Sequence, residues 1–230
     1  MKLTEGYSVE QEKKVPVSTV EAVLVIVITF VLVTLLGSLF YLTIDTGLAL
    51  VISELIILIV PLGYLLYKRV NIKSYIGLDV NPRLVLWGFV SAAILLSVDI
   101  AVSAVLFIIF GESQAVIDSN TLITNLSATP SGLIYVATAL GLAGVCEEFA
   151  FRGFLQSTLT RRFSFIPAVI TSAFVFGLFH FDPQLVYIIS AMAAGLVLGY
   201  IYHHWNSYIV VSIAHSSVNL IVLAMLVLGF

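Results

Sequence analysis

Seven apolar stretches limit what this chain can fold into. Each is close to the ~20 residues that a helix needs to cross the hydrocarbon core of a bilayer. They fall at about residues 18–43, 47–67, 84–110, 131–158, 165–181, 184–203 and 207–230. Inside hydrocarbon every backbone N–H and C=O has to be paired within its own segment, so runs of this length fold as helices. The expected class is all-α, a polytopic transmembrane helix bundle of about seven spans. Composition agrees: 60% of the 230 residues are hydrophobic and 10% charged, with a mean hydropathy of +1.13, whereas a soluble domain carries roughly 25% charged residues. Asp182-Pro183 makes the short turn between the fifth and sixth stretches. Pro183 and Pro167 are expected in first helical turns, where a missing N–H is tolerated.

The connecting segments give an orientation. Lys2, Lys13, Lys14, Lys68, Arg69, Lys73, Arg83, Arg161 and Arg162 fall on one side, and the opposite loops hold Asp45, Glu112, Asp118 and Asp182 with no Lys or Arg. Cytoplasmic loops carry the basic excess, so the N-terminus is expected in the cytoplasm. The polar stretch 1–17 lacks the short basic start and apolar run of a secretory signal and reads as a cytoplasmic tail. The protein is expected to be an integral, multi-pass membrane protein, in the plasma membrane if the source is prokaryotic, with the lipid bilayer as its solvent. A net charge of -3 without long basic runs excludes nucleic acid as a partner. Cys146, the single cysteine, has no partner for an intrachain disulfide. Segments 70–83 and 111–130 are not spans; the first reads as an interfacial helix or loop and the second as a polar loop. Gly195 and Gly199 form a G-x-x-x-G pair that allows close helix packing.

The polar residues inside the spans carry the chemical information. An ionisable side chain at mid-bilayer costs about 3 kcal/mol on insertion scales, so each needs a reason. The fourth span places Glu147, Glu148 and Arg152 within GVCEEFAFRGFLQ. Residues four apart share a helix face, which pairs Glu148 with Arg152 and leaves Glu147, about 100° round the helix, to point elsewhere and exchange a proton. His180 ends the fifth span in FVFGLFHF, and His215 stands one turn before Asn219 in the seventh. His203 and His204 beside Trp205 read as boundary residues. Glu54 and Asp99 have no local partner of opposite charge and stand equally as structural or functional groups.

E-E-x-x-x-R (Glu147, Glu148, Arg152), F-x-x-x-H (Phe176, His180) and H-x-x-x-N (His215, Asn219), in that order on successive spans, resemble the CPBP family of CAAX-processing and bacteriocin-processing intramembrane proteases, which includes the type II CAAX prenyl endopeptidase. The resemblance covers about residues 131–225, and upstream of 130 it is one of hydropathy alone. It divides the chain into a tail at 1–17, N-terminal transmembrane helices at 18–127 and a catalytic transmembrane region at 128–230. It implies an intramembrane endopeptidase acting on membrane-associated proteins or peptides, prenylated substrates among them. In that picture Glu147, Glu148, His180, His215 and Asn219 are the catalytic residues and Arg152 the ion-pair partner. Glu147 and His180 activate water, and His215 and Asn219 stabilise the oxyanion.

Glu147, Glu148, His180 and His215 also make up a donor set that zinc accepts. There is no H-E-x-x-H helix, and the same residues serve a metal-free glutamate mechanism, so no cofactor is assigned. A proton-coupled transporter uses similar buried groups, and a scaffold or immunity protein could keep such a fold without activity. Depth raises a difficulty. At 1.5 Å per residue, Glu147 and His180 lie about 20–25 Å from the basic side, but His215 lies only about 12 Å in from Ser207. Tilt, a deep turn between the last two spans or an interfacial course for 153–162 would each close the gap.

Overall fold

The computed structural model describes residues 16–229, and the expected tail falls almost wholly outside them. Every described element is a helix. The elements are α1 (Thr19–Thr43), α2 (Thr46–Tyr67), α3 (Ile72–Tyr75), α4 (Pro82–Phe110), α5 (Gln114–Ser127), α6 (Pro130–Glu148), a π-helical segment (Phe149–Gln156), α7 (Ser157–Thr160), α8 (Phe165–Leu178), α9 (Val186–Trp205) and α10 (Tyr208–Leu228). Among the described residues six stretches are long and apolar enough to cross a membrane, the fourth being Pro130–Thr160 taken as one. With α8, a shorter apolar helix, they make up the expected bundle of about seven. Side chains such as Leu42, Ile108 and Leu228 face outward, as lipid-facing residues of such a bundle do.

Short polar residues start the helices. Ser18, Asp45, Asn71, Asn81, Ser113, Thr129 and Ser207 each accept a backbone N–H from the first turn of the helix that follows, satisfying donors that otherwise lack partners. The segment expected as a polar loop at 111–130 is instead mostly the helix α5, which Ser113 caps and which the low hydropathy of its sequence concealed. Pro183 also lies outside its expected place. α9 begins at Val186, after Leu185 takes a left-handed conformation at φ 64°. Asp182 accepts from the N–H groups of Gln184 and Tyr187 at 2.9 and 2.8 Å.

α6 and α10 form the axis of the packing, with α2 on the other side of α6 and α4 against α10, while α8 and α9 pair as a hairpin. The depth difficulty is resolved at the base of α10. Residues 149–159 are buried in the protein and do not run along an interface. Ser157 bonds the Tyr202 hydroxyl at 2.7 Å, Tyr202 donates to the Ile76 carbonyl, and the Tyr208 N–H reaches the Gly77 carbonyl. The α9–α10 turn is therefore level with Ser157. Glu148 stands nine residues along the chain from Ser157 and His215 eight from Ser207, and the two side chains meet at 2.9 Å.

Small residues allow the close approaches. A Cβ at Gly195 would lie 3.1 Å from Ala173, and one at Gly199 would meet Gln156 and Val169 at 2.9 Å. A Cβ at Gly144 would strike the backbone nitrogen and hydroxyl of Ser216 on α10. Gly144→Val is therefore expected to force α6 and α10 apart and to destabilise the protein by about 1–3 kcal/mol. Thermal unfolding in detergent checks this, and an unchanged midpoint would refute the tight contact.

Candidate active site

Glu148 has no solvent exposure, and neither has Arg152. Their charges pair at 3.1 Å between Oε1 and the guanidinium, one helical turn apart as expected. The alignment is too poor for a hydrogen bond: among the described residues Nη1 and Nε of Arg152 and Oε2 of Glu148 have no hydrogen-bond partner. Arg152 gains further support from the bare carbonyl of Gly195 at 3.2 Å and from the Phe176 ring, 4.4 Å below its guanidinium. A guanidinium over an aromatic face is attracted to the ring quadrupole.

The same Oε1 of Glu148 lies 2.9 Å from Nδ1 of His215 on α10. A carboxylate only accepts, so Nδ1 donates and Nε2 is the nitrogen left to act. Nε2 faces Oε2 of Glu147 at 3.8 Å, beyond hydrogen-bond reach. Glu147 does not point away from this cluster, as helical geometry alone suggested; both glutamates converge on one histidine. Its side chain is 14% exposed, and that of His215 is 11% exposed.

His180 stands on the turn that follows α8. Its Nδ1 is 3.0 Å from the Phe176 carbonyl, which only accepts, so Nδ1 carries the hydrogen and Nε2 is free in the neutral ring. The F-x-x-x-H spacing thus has a physical content, since Phe176 supplies both the carbonyl that fixes the tautomer and a ring 4.9 Å from the imidazole. Asn219 donates one Nδ2 hydrogen to the Leu140 carbonyl at 3.2 Å, leaving the second available.

His180, His215 and Asn219 line one cavity of about 430 Å³, together with Asp99, Tyr187 and Ser190. Glu147 is not in its wall and adjoins it through His215. Asp99 is one of the two intramembrane acids that sequence left without a partner. The other, Glu54 on α2, keeps a buried Oε2 with no hydrogen-bond partner among the described residues. Ser190 and Tyr187 were not anticipated, having no spacing signal in an apolar helix.

The donor set for a metal is present by type but not by arrangement. Among the described residues no three His, Cys, Asp or Glu side chains form a group able to hold a metal ion. Glu148 and His215 face each other, and Nδ1 of His180 faces a carbonyl. These contacts occupy Nδ1 of both rings and leave each Nε2 open.

Comparison with curated proteins and with solved structures gives no match. Over residues 129–221 the chain matches the family model described as type II CAAX prenyl endopeptidase Rce1-like, which agrees with the CPBP resemblance carried by its glutamate, histidine and asparagine motifs and implies CAAX endopeptidase activity in the membrane.

Proposed function

We propose that the chain hydrolyses peptide bonds of membrane-associated proteins or peptides, prenylated CAAX-type substrates among them, with water activated by Glu147 and His180. The observation that carries this reading is convergence. His180 from the turn after α8 and His215 and Asn219 from α10 line one cavity, and Glu147 and Glu148 from α6 adjoin it through His215, within the region that matches an endopeptidase family.

The chemistry divides between the groups. Glu147 and the free Nε2 of His180 are the acceptors for a proton from water. The hydroxide attacks the scissile carbonyl carbon, and negative charge develops on its oxygen. The second Nδ2 hydrogen of Asn219 is a donor for that oxygen, as is Nε2 of His215 when the ring is doubly protonated and its charge is balanced by Glu148. One such donor is worth about 3 kcal/mol in a dry site. The proton then passes to the leaving amine as the C–N bond breaks. We read the mechanism as metal-free, because Oε1 of Glu148 is engaged with Arg152 and His215 and, among the described residues, no three His, Cys, Asp or Glu side chains form a group able to hold a metal ion.

Mass spectrometry of a mixed library of prenylated and unprenylated peptides, incubated with the protein in lipid, tests the reading. Glu147→Gln is expected to lower cleavage by about 10²–10⁴-fold without loss of fold. Equal cleavage by folded mutant and wild type would remove Glu147 from the chemistry. Tight chelators are expected to leave the rate unchanged, whereas loss of activity with recovery on adding zinc would overturn the metal-free version.

Glu148 and Arg152 are positioning residues on this reading. Arg152→Met leaves a buried carboxylate without its cation and is expected to destabilise the protein by about 3–5 kcal/mol. Adding Glu148→Gln should recover part of that loss. Strictly additive losses in thermal unfolding would mean that the two charges are not coupled.

A further inference from the structure

The geometry points to Asp99 as the residue that selects substrates carrying a basic side chain, lysine or arginine, close to the bond that is cut. The inference rests on the endopeptidase reading and adds a substrate class to it. Asp99 lies midway along α4, where an ionisable group needs a compensating partner. Among the described residues its one hydrogen bond comes from the Ser190 hydroxyl at 3.5 Å, the outer limit of such a contact. A hydroxyl at that distance solvates a carboxylate weakly.

The surroundings decide what the missing partner is. Asp99 lines the same cavity as His180, His215 and Asn219, so a group bound to it sits beside the candidate chemistry. Among the described residues no Lys or Arg lines that cavity, and its other acidic side chain is Glu112, just beyond the end of α4. Arg152 does not reach the wall, being committed to Glu148 and the Gly195 carbonyl. Tyr187 adds an aromatic ring to the wall, packed 5.0 Å from His180, and aromatic faces favour cations. A cavity with two acids, several aromatic rings and, among the described residues, no Lys or Arg is complementary to an ammonium or guanidinium group, which would give Asp99 a charge partner besides the His215 imidazole, itself paired with Glu148.

The test uses pairs of synthetic peptides that differ only by lysine or norleucine at each position flanking the cut. Wild type, Asp99→Asn and Asp99→Glu are compared in the same lipid, each checked for folding by thermal unfolding. At one position the wild-type lysine/norleucine ratio of kcat/KM is expected to be about 10- to 100-fold, the range of a charge-assisted hydrogen bond. Asp99→Asn should bring that ratio close to one, and Asp99→Glu should retain most of it. The inference is overturned by a wild-type ratio near one at every position, by a preference that survives Asp99→Asn, or by an equal fall for both peptides, which marks a contact with peptide backbone. If no peptide is cut in a Glu147-dependent way, the endopeptidase reading fails instead. Equilibrium binding of the same pairs to Glu147→Gln protein, with and without Asp99→Asn, then tests the selectivity by itself: a lysine preference that depends on Asp99 supports it, and its absence overturns it.

Discussion

A carboxylate withdrawn from water has to find opposite charge and hydrogen-bond donors in the protein, and Glu148 finds them on both sides. Arg152 is one turn along its own helix, and His215 reaches it from α10. Each partner then makes a demand of its own. The guanidinium of Arg152 needs acceptors beyond one carboxylate oxygen, and the Gly195 carbonyl on α9 is reachable because glycine leaves the helix surface bare. His215 has its Nδ1 fixed by Glu148, so Nε2 is turned to Glu147. One buried charge thereby ties α6, α9 and α10 together and sets the direction of the histidine that the proposed chemistry uses.

The π-helical segment follows directly from the residue that holds this charge. It begins at Phe149 and ends at Gln156, and its wider turn is matched by Ser157 donating to the Arg152 carbonyl five residues back. Gln156 at its end donates to the Gly199 carbonyl at 2.9 Å, one turn below the carbonyl that Arg152 uses. The two glycines therefore allow close packing, as their spacing suggested, and also offer two main-chain acceptors to two buried side chains. Beneath them, the contacts of Tyr202 and Tyr208 with the 76–77 segment fix the depth of the α9–α10 turn. That depth determines whether His215 meets the glutamates.

The spans were legible because hydrocarbon imposes both a length and a composition, and the Glu148–Arg152 pair was legible because helical periodicity is local. What helical periodicity did not reveal came from contacts between helices. Nothing in E-E-x-x-x-R indicates that both acids face the same histidine, since that depends on Gly144 letting α10 come close enough. The π segment has no signature in FAFRGFLQ. The helix α5 was hidden because its residues are polar, and polar composition between spans reads as loop. F-x-x-x-H and H-x-x-x-N were visible as spacings, but their meaning needed the carbonyls of Phe176 and Leu140.

The arrangement also bears on the choice between a hydrolase and a carrier, which use similar buried groups. A carrier must expose its site to each side in turn, so the bundle around it has to rock or open. Here the cavity reaches from His215 towards Glu112 and Ser113 at one end of the bundle, while on the other side the run from Phe149 to Leu159 is buried. That run is bonded to α9 through Arg152, Gln156 and Ser157 and to the 72–77 segment through Thr158 and Tyr75. Opening a path there would break several buried hydrogen bonds at once, each leaving polar groups without water. A hydrolase needs only one way in for substrate and water, and a rigid wall behind its histidines keeps them in register.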